Sequence, residues 1–269
     1  MRDRQRNWTI VIAMLCTCAA GLTWAADAPK PPEGPKAKVP AASSPPANDE
    51  TSGIRRVAKD YELWVDLKQK LVVVGGQICL REGQLEMFAC PKGTKEHEAI
   101  VSVNCRETGL IHAALLAVGA QPGKPVSFDP VYRPASGPIV DVHVLWQDEA
   151  GKKNRVRAQE WIKELRSDKP MTHPWVFAGS GFWKDETTGQ QYYQADGGDL
   201  ICVSNFPSAM LDLPIESTQA NSELLYIAFT ERIPRVGTKV RLVLIPRVEQ
   251  KKEAGKADKQ KPAKQPASK

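Results

Sequence analysis

No apolar run in this chain of 269 residues reaches the roughly 20 residues that a membrane-spanning helix requires. The longest, residues 8–22, stops at 15. Cys-x-x-Cys spacing is also missing: the six cysteines stand at 16, 18, 79, 90, 105 and 202, which leaves no four-ligand zinc set. Gly179-Ser180-Gly181 lacks the Gly-x-Ser-x-Gly spacing of a hydrolase elbow, so a serine nucleophile is not expected. Asp196 and Asp199 lack the twelve-residue loop and closing Glu of a calcium hand, and a glycine turn is the reading for Asp196-Gly-Gly-Asp199. Internal repeats are absent. So is a basic face: the formal charge of +6 comes largely from the ends, because Arg55 to Val248 holds 24 Lys and Arg against 23 Asp and Glu. Nucleic-acid recognition, which needs dense positive charge, is thereby disfavoured.

What is present divides the chain. Arg2, Arg4 and Arg6 precede the apolar run, and Thr23-Trp24-Ala25-Ala26 ends it. A positive start, a short apolar stretch and small residues are the parts of an export signal over residues 1–26. A retained anchor is the alternative, and Leu15-Cys16-Thr17-Cys18 offers a variant with lipidation. Residues 27–54, rich in Pro and Ala, bury too little apolar surface to offset their ordering entropy and read as an extended spacer. Residues 249–269 carry seven lysines and read as a disordered tail, with attraction to an anionic envelope surface as the sharper alternative. Between them, residues 55–248 make one domain.

Within it, Val72, Val74, Ile78 and Leu80 alternate toward one face, with Gly75-Gly76 as a bulge and Glu82-Gly83 as a tight turn. Folding there predicts a hairpin that pairs Leu80 with Leu85 and Ile78 with Met87. In that register Cys79 and Cys90 are about 13 Å apart, beyond a disulfide. A strand follows with His97, Ala99, Val101, Val103 and Cys105 on one side. Thr108 then caps a helix over residues 108–118, where Leu110, Ile111, Ala114, Leu115 and Val118 form the apolar stripe and Gly119 the stop. His112 lies off the stripe. The strand sets His97 roughly 26 Å from Cys105, so the two cannot share a metal.

Cys90 beside His97, with Glu98 orienting the ring, is the one candidate for thiol or metal-dependent catalysis; buried structural cysteines are the alternative reading. Cys105 and Cys202 are a candidate disulfide, with two reduced core thiols as the alternative. Residues 140–146 alternate as a strand, a turn at 148–153 leads back into Arg155-Val156-Arg157, and His143 shares the solvated face with Asp141. Residues 160–166 read as a short helix with Trp161 and Leu165 turned inward, 223–231 as helix or strand, and 239–245 as a last strand. The aromatic stretch from Trp175 through Phe177, Phe182 and Trp183 to Tyr192 and Tyr193 either stacks on a sugar or peptide or fills a core.

The ordered set LEMFAC, KEHE, IHAALLAVGA, WVFAGSGF and ADGGDLICVSN resembles the YdjY-type domain of exported bacterial proteins, over approximately residues 61–246. The resemblance places Cys90, His97, Glu98 and His112 in the family's most recognisable block, with Ala99 where a serine is expected, and it implies no reaction. A ferredoxin-like label attaches to some relatives, yet this chain lacks the closely spaced cysteines of an iron-sulfur cluster. The expectation is an α+β domain, mainly antiparallel sheet, with one principal covering helix over 108–118 and short accessory helices. Functionally it reads as an exported, non-catalytic envelope module without metal or cofactor, binding an envelope ligand or protein. The alternatives are an enzyme using Cys90 and His97, and glycan or peptide recognition through Trp175, Trp183, Tyr192 and Tyr193 with His112.

Overall fold

The computed structural model describes residues 53–217 and 225–248. The expected leader and tail, and nearly all of the spacer, lie outside them. Two short strands, β1 (Ile54–Arg56) and β2 (Leu63–Asp66), pair and lead into β3 (Leu71–Ile78). After β4 (Met87–Pro91) and β5 (Ala99–Val103) comes the helix α1 (Thr108–Ala117). The long hairpin β6 (Ile139–Gln147) and β7 (Lys153–Arg157) follows, then β8 (Ile162–Glu164), β9 (Trp175–Phe177), β10 (Phe182–Lys184) and β11 (Gln191–Tyr193). The chain ends through β12 (Ile201–Cys202), β13 (Leu211–Asp212), β14 (Tyr226–Ala228) and β15 (Lys239–Pro246).

Eight of these close on themselves in the order β3, β15, β6, β9, β13, β12, β4, β5 and back to β3. The β12/β13 and β4/β5 pairs are parallel and the other six antiparallel. One continuous register sets Val144 beside Leu242 and Leu242 beside Val74, and the next row sets Val142, Leu244 and Val72 together. All six are at most 2 % exposed, while Asp141 and His143 on the alternate face of β6 stay half-exposed. That is the period-2 pattern of a barrel wall with an apolar interior.

The expected α+β layering is therefore corrected. The described chain is mostly β, 38 % strand against 11 % helical, because a sheet closed on itself buries its own inner face and needs no helical layer. Among the described residues α1 is the one α-helix, close to where the periodicity places it, and it adds Ile111, Ala114 and Leu115 to the core beside β2 and β3. Its cap differs from expectation. Asp196 Oδ1 accepts both the Thr108 N–H at 2.7 Å and the Thr108 hydroxyl at 2.6 Å, so a carboxylate from a distant turn satisfies the helix start. Gly119, at φ +98, ends the helix as read, donating to Leu116 O.

The predicted β3/β4 hairpin does not form. β3 pairs with β2 and β15 over most of its length and with β5 at its end, and β5 separates it from β4. Gly75-Gly76 is no bulge in the β15 register; it marks where β3 changes neighbours, from β2 at Leu71–Val74 to β5 at Gly76–Ile78. A Cβ on Gly76 would lie 2.5 Å from Ser102 O, and one on Gly75 would meet Glu62. The predicted helix over 160–166 is instead a 3₁₀ turn, Ala158–Trp161, running into β8, and Leu165 is exposed where burial was expected. Trp161 is buried as read.

Gly76→Ala is expected to destabilise the fold by roughly 1–3 kcal/mol, since a backbone carbonyl must shift to admit the methyl. Denaturant unfolding with unchanged slope and a lowered midpoint checks it, with Gly197→Ala, which meets nothing within 4 Å, as the neutral comparison.

Candidate functional site

The aromatic stretch divides by strand register. Trp175 and Phe177 point into the barrel and are fully buried, and the Trp175 indole N–H donates to Cys202 O at 2.7 Å. Trp175 is thus a core residue. β10 and β11 form a separate two-stranded hairpin, with Phe182 opposite Tyr193 and Trp183 opposite Tyr192. Phe182 is 66 % exposed, Trp183 48 % and Tyr192 36 %. The Trp183 and Tyr192 rings stack at 4.7 Å with 17° between their planes. A cross-strand pair of this kind steadies a ribbon that is marginal by itself, and it leaves a flat aromatic face in water.

Tyr193, on the other side of the ribbon, is buried and ties it down. Its hydroxyl donates to Gly179 O at 3.0 Å and lies 2.8 Å from His112 Nδ1. With the tyrosine proton on Gly179 O, its oxygen accepts from Nδ1–H, which leaves Nε2 as a lone-pair acceptor. His112 is held further by edge contacts with Phe177 at 4.8 Å and Tyr193 at 5.5 Å. Burial lowers its pKa, partly opposed by Gly179 O, so the neutral imidazole is favoured. Two left-handed residues, Gly179 at φ +97 and Ser180 at φ +58, carry the chain past this niche. Of the five residues read as ligand-binding, Trp183 meets Tyr192 and His112 meets Tyr193, on opposite faces of the ribbon, and Trp175 lies apart in the core.

The thiol candidates are placed differently. Cys90 is fully buried, while the His97 side chain is 77 % exposed and stands 3.8 Å from Glu98. The neighbours of the Cys90 sulfur are the Cys79 thiol, the Thr94 hydroxyl and the Lys95 backbone N–H, so no imidazole activates it. Cys105 and Cys202 are both free and buried; burial raises each thiol, Cys105 to about 12. Asp196 and Asp199, read as a glycine turn, serve separate tasks: the first caps α1, and the second takes the Ser208 hydroxyl and the Lys95 ammonium.

Sequence reasoning missed that lysine. Lys95 Nζ lies 3.0 Å from Asp199, 3.9 Å from Glu86, 4.0 Å from Glu98 and 4.4 Å from the centre of the Phe206 ring. Burial works against the ammonium, but Asp199, Glu98 and Glu86 outweigh it and its pKa is raised. Burial and Glu98 together raise Glu86. Nearby, Asp212 is buried, accepts from Asn205 Nδ2 and the Leu213 N–H, and has no partner at Oδ2. Burial pushes it up to about 7. Its contributors span residues 86 to 213, so no local motif announces the cluster.

Together these features define a closed β-barrel domain bearing an exposed aromatic ribbon backed by a histidine-tyrosine niche. Among the described residues no group of three or more His, Cys, Asp or Glu is arranged to hold a metal ion. The family model of the YdjY domain matches residues 63–245, and the chain belongs to that family. Neither the curated proteins nor the solved structures compared with the chain match it.

Asp212 sets a pH dependence. Its native pKa of about 7 exceeds the unfolded value near 3.8, so the native state holds the proton more tightly. Stability is greatest at low pH as far as this group is concerned, falls between about pH 4 and pH 7, and is level above that, by a few kcal/mol at about 1.36 kcal/mol per pKa unit. Chemical denaturation from pH 4 to 8 should show this slope in the native chain and a smaller one in Asp212→Asn, the remainder coming from Glu86.

Proposed function

We propose that the protein is an exported cell-envelope module that binds saccharide chains non-catalytically through the β10/β11 ribbon. The observation that carries this reading is the stacked, solvent-facing Trp183–Tyr192 pair. Flat aromatic faces suit the apolar faces of sugar rings, and their exposure suits a long chain better than a small enclosed ligand. Hydrogen-bonding groups lie close to the rings: Gln190 and Gln191 are exposed on the ribbon, and Gln190 Oε1 accepts from the Tyr192 hydroxyl at 3.1 Å. The basic start followed by a short apolar run and Ala25-Ala26 supports export, and the lysines of residues 249–269 support attraction to an anionic surface.

Titration with cell-wall glycan fragments, read by tryptophan fluorescence, tests the proposal. Saturable quenching is expected, weakened about tenfold by Trp183→Ala, a loss of roughly 1–2 kcal/mol. Unchanged affinity in both Trp183→Ala and Tyr192→Ala, or saturable binding only of peptides, would refute it.

A further inference from the structure

Lys and Arg nearly balance Asp and Glu over residues 55–248, at 24 against 23, but the fold does not spread them evenly. β1, β2, β3, β15, β6 and β7 are successive neighbours in one wall. On its outer face one row runs Arg56, Trp64, Val73, Val243, His143, Arg157, and the next runs Gly75, Arg241, Leu145, Arg155. Lys239 and Lys153 come one row further, opposite Gln77 and Gln147. Arg56, Lys153, Arg155, Arg157, Lys239 and Arg241 are all exposed. None of the six is in an ion pair among the described residues. The carboxylates of this face are already engaged. Asp141 holds Arg247 through two bonds of 2.8 Å, Asp66 is fully buried and accepts the Lys68 and Gln69 N–H groups, and Glu62 accepts from the Asn104 side chain. With the Asp141–Arg247 pair cancelled, six cations stand against Glu62 and Asp66, a net of +4.

The spacing of the charges bears on what they meet. Arg155 and Arg157 stand roughly 7 Å apart along β7, and Arg241 lies two strands, roughly 10 Å, from Arg155. Cations spread in two dimensions suit a charged plane better than a polymer in single file. Two further observations name the plane. Ile54 pairs with Asp66, Asp66 with Leu71, and Leu244 with Val72 in the next row, so β1 begins and β15 ends at one rim of this wall. The chain upstream holds the apolar run of residues 8–22 and the chain downstream the seven lysines of 249–269, and both join the domain at that rim. The β2/β3 turn lies there too, with Leu67 51 % exposed between β2 and the exposed Lys68 and Lys70, and Ile54 is 38 % exposed. Apolar side chains set among lysines match the interface of an anionic bilayer.

We propose that the outer wall of β1, β2, β3, β15, β6 and β7 is the face by which the folded domain lies on an anionic phospholipid bilayer. Arg155, Arg157 and Arg241 meet lipid phosphates, for which the guanidinium fork is suited. Trp64, half-buried between the rows, has the guanidinium carbons of Arg56 and Arg241 at 5.8 and 5.2 Å from its ring centre, and an indole among cations belongs at the headgroup level. Leu67 enters the boundary at the rim. The assignment concerns the folded wall and not the tail alone, and it is independent of the saccharide reading, which rests on β10 and β11.

The test is co-sedimentation of the full chain with vesicles of phosphatidylcholine alone and of phosphatidylcholine mixed with phosphatidylglycerol, read as the difference between the two. Stronger partition into the anionic vesicles is expected. Combining Arg155→Gln, Arg157→Gln and Arg241→Gln, with the lysine tail intact, should weaken that partition by roughly tenfold to a hundredfold. Combining Lys92→Gln, Lys124→Gln and Arg133→Gln removes the same charge from exposed positions off this wall and should change it far less. The pair Arg155→Gln with Arg157→Gln leaves the Trp64 contacts in place and should keep most of the loss, and circular dichroism confirms that each variant is folded. Equal losses in the two triple variants, no preference for anionic over neutral vesicles, or wall-dependent binding of soluble polyphosphate without wall-dependent binding of vesicles would overturn the assignment.

Discussion

The barrel depends on a close approach of two backbones. β5 pairs with β3 over Gly76–Ile78, and it enters that pairing at Gly76, where the absence of a side chain admits the carbonyl of Ser102. One residue earlier, Gly75 N–H donates to Glu62 O at 2.7 Å and Gly75 O accepts from Asn104 N–H at 2.8 Å, so the edge of β3 passes from β2 to the β5 side without an orphaned backbone group. Glu62 also accepts from the Asn104 side chain at 2.8 Å, which stitches the fork on its outer side. Without that fork β3 would spend its whole edge on β2. The sheet would then stay open, and its apolar face would need the helical layer that the sequence leads one to expect.

The opposite arc is held by different means. β9, β12 and β13 are two or three residues long, too short for main-chain ladders alone to hold the wall. Side chains supplement them. Trp175 bonds Cys202 O, Ser217 Oγ bonds Val203 O at 2.6 Å, and Asn205 joins Asp212, Leu213 and the Ser217 N–H. A network of this kind in a low-dielectric setting specifies one arrangement, and it also brings a carboxylate inside that titrates near neutrality. The pH sensitivity of Asp212 follows from using side chains where strands are short.

What could be read from the sequence follows the same division. β6, β7, β15 and α1 are long enough for their periods of 2 and 3.6 to show, and they lie close to the expected places. The β3/β4 hairpin was a sound local inference from Glu82-Gly83 and the alternating apolar residues. No local pattern reports that a third strand inserts between its arms. Two- and three-residue strands carry no period at all, which is why residues 160–166 read as a helix. The aromatic count located the candidate surface but could not separate Trp175, one face of a barrel strand, from Trp183, one face of a free ribbon; only the register separates them.

Tyr193 shows how the interior supports the surface. Its neighbour Tyr192 and the facing Trp183 play no part in closing the barrel, and an isolated ribbon of three-residue strands would not persist in water. Burying Tyr193 anchors the ribbon apolarly, and its hydroxyl fastens it to both α1, through His112, and the left-handed turn at Gly179. The same bond fixes the imidazole tautomer. Loss of that hydroxyl would therefore leave the ribbon held by its buried ring alone and free His112 to donate from either nitrogen, so that one oxygen atom ties the ribbon to α1 and fixes the imidazole tautomer.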